Sequence, residues 1–309
     1  MRKVFAMLGA AAALAASASF AAYPDRPVKL IVPWAAGGDT DNLFRPLAPL
    51  MQKSLGQPVV IANVGGASGT KGAKEAKDSP ADGYTIYAVH DYIHSTYYAG
   101  VADVQYTDFE PVCMLSSTAS VLTASAKSPW KTWAELLADA KARPGQISVG
   151  ATLASTSHFF PALIEKAAGI KFKYVSYEGL APRMNAILGG HIDLTDSNLT
   201  QKGKVDAGEL KFIAIATEKR SPETPNVPTL KKELGTNWQI AAWRVIAAPK
   251  GIPADAQKTL TTALKKVYDS KDYKDFMASR GFGVIWADAG EAAYVRNLMT
   301  TSHGAGHAP

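Results

Sequence analysis

Short apolar runs rich in β-branched residues alternate with amphipathic stretches along most of this chain. The runs are bounded by Gly, Pro and Asp, and their length is typical of strands rather than helices. Such alternation favours α/β units with largely parallel sheets. It predicts strands at residues 28–33, 58–62, 84–89, 147–151, 173–177, 192–195 and 211–216.

Two predicted helices differ in how clearly the sequence marks them. The clearest spans residues 132–143, where Thr132 and Glu135 have the spacing of a capping box. The first helix of the chain is less regular. Because Pro46 and Pro49 each remove an amide donor, we expect a kink or a delayed start there.

Two longer apolar runs, at residues 111–126 and 239–249, lie nearly symmetrically about the middle of the chain. We interpret them as strands that cross between two lobes. Lobe 1 would comprise residues 22–124 and 241–309, and lobe 2 residues 125–240. The predicted fold is α/β, with a ligand cleft between two lobes and a two-strand hinge that lets the cleft close.

The N-terminus has the layout of an export signal. Arg2 and Lys3 precede an apolar run, and small residues follow it, so residues 1–21 are expected to be a signal peptide cleaved near Ala21. No later run approaches the roughly 20 apolar residues needed to cross a bilayer. The single cysteine, Cys113, allows no internal disulfide. We therefore expect an exported, periplasmic protein.

The charge of the chain excludes one class of partner. The formal net charge is +6, and Arg2 and Lys3 of the expected signal account for two of these positive charges. The remaining Lys and Arg residues are scattered among acids, which does not indicate a nucleic-acid surface. A mild positive excess suits a small anionic ligand, although it is equally compatible with no functional role.

A strand that runs into a glycine-rich turn and then a helix occupies residues 28–41, VKLIVPWAAGGDTD. The first amides of such a helix have no partner within it and form a seat for an anion. No lysine follows the glycines, which favours a carboxylate held by main chain over the triphosphate of a P-loop. Trp34, inside this turn, would either line the cleft or pack.

A second candidate anion seat lies at residues 150–158, GATLASTSH. Ser155, Thr156 and Ser157 stand where a helix begins, so their amides and hydroxyls would bind a carboxylate together. The alternative is that one of these side chains merely caps the helix. One seat in each predicted lobe favours the binding interpretation.

The sequence does not favour two enzymatic interpretations. His90, Asp91 and His94 have metal-like spacing, but no third ligand clusters with the two histidines, so no metal or other cofactor is expected. His90 and Asp91 would instead offer polar contacts at the mouth of the cleft, and His94 would lie on a helix surface or pack. Ser157 and His158 are adjacent at a helix start, where a serine-to-histidine hydrogen bond is hard to make, and no G-x-S-x-G motif is present.

Arg244 lies within an apolar run on the predicted returning strand. A guanidinium is costly to bury without a partner. Arg244 therefore either pairs with a protein acid or binds a ligand carboxylate at the hinge.

The residues together resemble one known family, the periplasmic solute receptors of tripartite tricarboxylate transporters, also called Bug proteins. The resemblance runs over nearly the whole mature chain. It implies a type II periplasmic-binding-protein fold that captures an organic anion, usually a carboxylate, and delivers it to a membrane permease. The motifs that carry it are YPDRPVKLIVPWAAGGDTD, LGQPVVIAN, GASGT, PADGYTIY, FEPV, GATLASTSHF, YEGLAPRMNAILGGHID, IAIATEKRSPETPNVPTL and APKGIP.

Carried over by position, the resemblance implies ligand-binding roles for two loops, for the end of the third strand and for the hinge. In lobe 2 it also implies such roles for Tyr177, Ser197 and Asn198. Trp34, Ser197 and Arg244 differ from the residues usual in the family. Trp34 and Arg244 favour a second carboxylate and a flat ligand, which adds aromatic dicarboxylates to aliphatic di- and tricarboxylates. The implied residues are Trp34, Ala35, Ala36, Gly37, Gly38, Thr40, Asp41, His90, Asp91, Thr152, Ser155, Thr156, Ser157, His158, Tyr177, Ser197, Asn198 and Arg244.

The sequence thus predicts a monomeric, hinge-closing receptor with no chemistry of its own. The alternatives are an exported hydrolase or metalloenzyme, and a ligand sensor for a membrane kinase that uses the same cleft.

Overall fold

The computed structural model describes residues 23–236 and 239–291, so the predicted signal peptide lies outside the described residues. The strands are β1 (Val28–Val32), β2 (Val59–Asn63), β3 (Thr85–Val89), β4 (Phe109–Ser125), β5 (Ser148–Ala151), β6 (Lys173–Ser176), β7 (Leu194–Asn198), β8 (Leu210–Ile215), β9 (Ala241–Pro249) and β10 (Val284–Asp288). The helices are α1 (Asp39–Leu55), α2 (Thr70–Lys77), α3 (Tyr92–Tyr98), α4 (Trp133–Ala142), α5 (Thr156–Ala168), α6 (Leu180–Gly189), α7 (Lys202–Asp206), α8 (Leu230–Leu234), α9 (Ala254–Asp269) and α10 (Lys271–Arg280).

The strands form one continuous hydrogen-bonded path in the order β2-β1-β3-β9-β4-β7-β5-β6, and β8 and β10 also pair with β4. The pairs at the two ends of this path, β1 with β2 and β3, and β5 with β6 and β7, are parallel, as predicted. The pairs made by β4 and β9 in the middle are antiparallel. The parallel units are the strand-helix repeats that the sequence pattern indicates.

The long strands β4 and β9 connect the two lobes. β4 has 17 residues. Its first part, Phe109 to Ala119, pairs with β9, and its last part, Ser120 to Ala124, pairs with β7. One apolar core draws on residues 28–115 and 245–287, and the next largest on residues 122–230. The lobe limits proposed from the sequence, at residues 124/125 and 240/241, stay a prediction.

The first helix corrects one expectation. α1 begins at Asp39 and contains both Pro46 and Pro49, so the prolines do not delay its start. Its apolar face remains buried, since Leu43, Phe44 and other side chains of the helix are fully covered. Within residues 23–236 and 239–291, no helix is long and apolar enough to cross a membrane.

The capping box predicted for the fourth helix is present. The Thr132 hydroxyl accepts a hydrogen bond from the Glu135 amide at 3.2 Å, and the Glu135 carboxylate accepts one from the Thr132 amide at 3.3 Å. Each partner satisfies an amide that the helix itself leaves without an acceptor. The pattern did not predict β10, whose residues are mostly exposed and whose register against β4 is irregular.

We expect Thr132→Ala to lower the free energy of unfolding by about 1 kcal/mol, because it removes the cap but leaves the buried face of α4 intact. Urea denaturation followed by circular dichroism measures this. Thr132→Ser is the matched control, since it keeps the hydroxyl and should retain most of the stability. An alanine variant as stable as the serine variant would contradict the assignment of the cap.

Candidate functional site

A cleft lies where the carboxyl ends of the parallel strands of both lobes meet, as expected for ligand sites of open α/β sheets. It encloses about 590 Å³ not occupied by protein atoms, part of it open to solvent. The lining residues are Trp34, Gly38, Asp39, Thr40, His90, Asp91, Thr152, Ser155, Thr156, Ser157, Gly179, Leu180, Arg183, Asp196, Ser197, Asn198, Ala242 and Arg244.

Most residues expected from the sequence line this cleft, and six do not. Ala35, Ala36 and Gly37 lie on the exposed outside of the first loop, and Asp41 lies beneath that loop. His158 packs its ring against Tyr174, and Tyr177 packs against a small apolar cluster of lobe 2. A binding role for each lining residue stays a prediction from its position.

Three helices begin at the cleft. The N-terminal residues of α1, α5 and α6 all belong to its lining. The first amides of a helix have no acceptor within it, and the helix dipole makes this end partially positive. The two seats expected from the sequence are therefore joined by a third, at Leu180, the first residue of α6, and together they favour a negatively charged ligand group.

Hydroxyl groups organise the loop before α5. The Ser157 hydroxyl accepts a hydrogen bond from the Thr152 amide at 2.9 Å and lies 2.9 Å from the Ser155 hydroxyl, which donates to the Thr152 carbonyl. The Thr152 hydroxyl accepts from the Gly179 amide at 3.0 Å. None of these side chains forms the helix cap that was the alternative interpretation. The hydroxyls bond within the loop and do not cap α5. The first amides of α5 therefore have no side-chain partner and are available to a ligand.

Asp41 holds the first loop in place from below. Its carboxylate accepts hydrogen bonds from the Gly37 amide at 2.9 Å and from Arg45 and Asn63. Burial alone would raise the pKa of Asp41, but the hydrogen bonds from Arg45, Gly37 and Asn63 outweigh it and hold the pKa below its usual value. Asp41 therefore positions the loop as an ionised group.

A hydrogen-bonded chain of side chains forms one wall of the cleft. The Trp34 indole donates to Nε2 of His90 at 2.8 Å, and Nδ1 of His90 lies 3.2 Å from Oδ1 of Asp91. Because Nε2 must accept from the indole, the proton of the neutral ring is assigned to Nδ1, which donates to Asp91. Trp34 also meets Tyr92 edge-on, with ring centroids 5.1 Å apart. These contacts fix the Trp34 ring as part of the wall.

Arg244 pairs with a protein acid, which is one of the two alternatives drawn from the sequence, and its contact with a ligand stays a prediction. Its guanidinium contacts the Asp39 carboxylate and donates to the Ala242 carbonyl at 2.6 Å. The side chains are 3% and 11% exposed, so both charges are almost completely removed from water. Burial lowers the pKa of Arg244 to about 10, which still leaves it charged near neutral pH. The charge of Arg244 is therefore matched within the protein.

Asp39 also reaches across to lobe 2. Its carboxylate accepts a hydrogen bond from the Asn198 amide group at 3.1 Å and one from the Thr200 hydroxyl at 3.3 Å. These contacts and the Arg244 pair join the start of α1, the end of β7 and strand β9. We call this group, Asp39, Asn198, Thr200 and Arg244, the latch.

Further contacts close the cleft from its rim. The Ser68 amide donates to the Glu178 carboxylate at 3.0 Å, and the Ser68 hydroxyl donates to the Leu153 carbonyl at 2.9 Å. Gly179 has a φ of +93°, and a Cβ at this position would lie 3.3 Å from the Trp34 ring. The lobes therefore touch across the cleft, and the positive φ of residue 179 favours glycine at this point of contact.

Two charged side chains inside the cleft are buried but not hydrogen-bonded to each other. Burial lowers the pKa of Arg183 to about 10, with Asp196 opposing the shift. Burial raises the pKa of Asp196 to about 7, with Arg183 and Ser120 opposing the shift and Asp91 adding to it. Asp196 therefore titrates near neutral pH.

The sequence reasoning did not find Asp39, Gly179, Leu180, Arg183, Asp196 or Ala242 among the lining residues. Arg183 carries the same signal that revealed Arg244, namely a charge within an apolar segment, LAPRMNAIL. Applying that criterion to every apolar segment would have found Arg183. Asp196 lies in DLTDSNL, which is mostly polar, so the sequence offers no such signal for it.

The contacts of the remaining candidate groups are structural. The His94 ring stacks on Tyr106, with centroids 5.3 Å apart, while His90 is bonded to Trp34 and Asp91. In the part of the chain that the structure describes, no three His, Cys, Asp or Glu side chains cluster as metal ligands would.

Comparison with known proteins decides the family. Residues 43–300 match the family model described as "Tripartite tricarboxylate transporter family receptor". The chain belongs to this receptor family. The match covers most of the chain and both lobes, and it agrees with the resemblance drawn from the sequence motifs.

Solved structures of tripartite tricarboxylate receptors and their relatives share the two-lobe fold. The periplasmic binding protein BugD is 30% identical, with a TM-score of 0.84 over 91% of this chain and 96% of BugD. A Rhodopseudomonas palustris protein solved with adipate is 29% identical, with a TM-score of 0.83 over 89% of this chain and 94% of that one. MatC from the same organism, solved with bound malate, is 28% identical, with a TM-score of 0.78 over 85% of this chain and 91% of MatC.

We expect Asp39→Ala to lower the free energy of unfolding by about 3 kcal/mol, because it leaves the Arg244 guanidinium buried without a carboxylate. Urea denaturation of the ligand-free protein measures the loss. The double variant Asp39→Ala with Arg244→Met is the control, and it should regain most of the lost stability since no unpaired charge remains. A single variant as stable as the parent would show that the latch charges are solvated.

We expect the stability of the ligand-free protein to depend on pH through Asp196. The folded-state pKa of Asp196 is raised to about 7, so folding binds a proton that the unfolded chain releases at its ordinary, lower pKa. This contribution to stability falls as the pH rises from about 4 to about 7. The gain in unfolding free energy from Asp196→Asn should therefore grow by roughly 2–4 kcal/mol between these pH values.

Urea denaturation of both proteins across this pH range tests the expectation, and Asp103→Asn, an exposed substitution, is the matched control. A difference between Asp196→Asn and the parent that stays constant with pH would contradict it.

Proposed function

We propose that this protein is a periplasmic receptor that captures an organic carboxylate between its lobes and delivers it to a tripartite tricarboxylate-type membrane permease. The observation that carries the proposal is the convergence of three helix N-termini on one interlobe cleft. A carboxylate bound there would accept hydrogen bonds from amides that the helices leave free.

Family membership supports this ligand class. Adipate and malate are the molecules named for two solved relatives, and both are dicarboxylates. The aliphatic and aromatic di- and tricarboxylates expected from the sequence belong to the same class. Because the latch already matches the charge of Arg244, main-chain amides and the Arg183 guanidinium are the groups we assign to the ligand carboxylate.

The proposed cycle of ligand capture and release follows from the hinge between the two lobes. We propose that ligand shifts the balance between open and closed lobes toward the closed form, which the permease recognises. The receptor acts as a monomer after export and cleavage of its signal peptide, and it releases the ligand chemically unchanged. A sensor role would use the same cleft and differ only in the membrane partner.

We expect Thr156→Pro to weaken carboxylate binding by about tenfold or more, because it deletes one amide of the α5 seat. Thr156 is the first residue of α5, where proline is well tolerated, and the preceding Ser155 has the extended conformation that a proline requires (φ −117°, ψ 175°). The helix should therefore survive while the donor is lost. Thr156→Ala is the matched control, since it removes the side chain and keeps the amide.

A thermal-shift screen against mono-, di- and tricarboxylates, with sugars as controls, first identifies a ligand, which must raise the melting temperature by mass action. Titration calorimetry of the parent and both variants then measures its affinity. No stabilisation by any carboxylate, or equal affinities for the proline and alanine variants, would overturn the proposal.

A further inference from the structure

Four buried charged side chains of the cleft each keep one atom without a hydrogen-bond partner. Among the described residues, these atoms are Oδ2 of Asp91, Oδ1 of Asp196, Nη1 of Arg183 and Nε of Arg244. All four residues line the cleft, and their exposed fractions are 7% for the Asp91 side chain, 9% for Asp196, 5% for Arg183 and 3% for Arg244. Buried polar atoms without partners are costly, so these atoms indicate what a ligand must supply.

The unpartnered groups include two acceptors of the same charge. The His90 ring adds no positive charge beside Asp91, because its Nε2 accepts the Trp34 indole and its Nδ1 faces Oδ1 of Asp91. Asp91 therefore keeps its second oxygen for the cleft. Asp91, Arg183 and Asp196 line the same cleft, and the charges of Asp91 and Arg183 shift the pKa of Asp196 in opposite directions, so the three groups act on one another electrostatically.

The charges of this region do not balance. The latch neutralises Arg244 through Asp39, so Arg244 cannot compensate another acid. Arg183 then stands against the two carboxyl groups of Asp91 and Asp196. With both ionised, one negative charge is unmatched among buried side chains. Without a cation, Asp196 relieves this imbalance by taking up a proton near neutral pH, and a positively charged ligand group would take the place of that proton.

We propose that the ligand is an amino-substituted carboxylate whose ammonium group lies between Asp91 and Asp196. This inference rests on the proposed function and names the substrate class of the same cleft. An ammonium group has three donors and one positive charge, so it satisfies Oδ2 of Asp91 and Oδ1 of Asp196 together. The ligand carboxylate then lies toward the starts of α5 and α6 and Nη1 of Arg183.

Carboxylates with no substituent or with a hydroxyl group satisfy fewer of the unpartnered atoms of the cleft. An unsubstituted carboxylate leaves both acidic oxygens buried without a donor. A hydroxyl group donates one hydrogen bond and carries no charge, so one oxygen and the negative charge remain unmatched. A site built to bind a donor rejects the analogue that lacks it, which makes the substituent the expected basis of selectivity.

Titration calorimetry with ligand series that share a carbon skeleton tests the inference. The probes are succinate, malate and aspartate; glutarate, 2-hydroxyglutarate and glutamate; propionate, lactate and alanine; and 3-phenylpropionate, phenyllactate and phenylalanine. In the series that binds best, we expect the amino member to have a Kd at least about tenfold lower than both of the others. An unsubstituted or hydroxy member that binds as tightly as the amino member, or more tightly, would overturn the inference and leave the carboxylate receptor intact.

Failure of the proposed function has a different signature. If no carboxylate with or without an amino group binds with a Kd below about 1 mM, the receptor proposal fails, and this inference fails with it.

Two variants assign the preference to the acidic pair. Asp91→Asn and Asp196→Asn should each reduce the ratio of amino to unsubstituted affinity by about tenfold. Asp103→Asn, on the exposed surface, is the control for a change of net charge. Circular dichroism confirms folding of each variant, and the ligand series on the parent protein is decisive even if one variant does not fold. A preference that survives both substitutions would overturn the assignment.

Discussion

β4 is the constraint on which both lobes depend, because one strand takes part in the sheets of both. Its first part pairs with β9 and β10, and its last part pairs with β7 and β8. Backbone groups in a sheet must be paired along their whole length, so β4 cannot shift in register in one lobe without disturbing the other. The lobes can therefore rotate about β4 and β9, whereas sliding along these strands would break many hydrogen bonds at once.

The direction of the parallel strands then fixes the chemistry of the cleft. In each lobe the parallel strands end at the interface, so the helices that follow them begin there. The main chain supplies the attraction for an anion, and it does so almost regardless of side-chain identity. This leaves selectivity to a few buried side chains, of which Asp91, Arg183 and Asp196 have unpartnered atoms in the cleft.

Local signals predicted much of the fold. Strand positions followed from apolar runs, and the start of α4 followed from Thr132 and Glu135, since these features depend on neighbours in the sequence. The start of α1 was less predictable, because burial of its apolar face outweighs the loss of amide donors at Pro46 and Pro49. The strand β10 escaped prediction because its exposed, irregular pairing leaves no alternating pattern.

The cleft was predictable where a loop carries its own signal and not where partners come from distant segments. The residues before α1 and α5 were recognised from glycines and hydroxyls. The partner of Arg244 was not, because Asp39 is 205 positions away in the sequence and only the folded chain brings the two together. The same holds for Arg183 and Asp196, whose importance lies in what the fold leaves unpaired.

Asp39 makes the three helix starts at the cleft unequal. As the first residue of α1, it places the protein's own carboxylate near the positive end of that helix, so the positive potential there is partly compensated before any ligand binds. The starts of α5 and α6 carry no acidic residue in their first turns. In electrostatic terms the two sides of the cleft are therefore unequal, and the helix starts of lobe 2 have the less compensated positive potential.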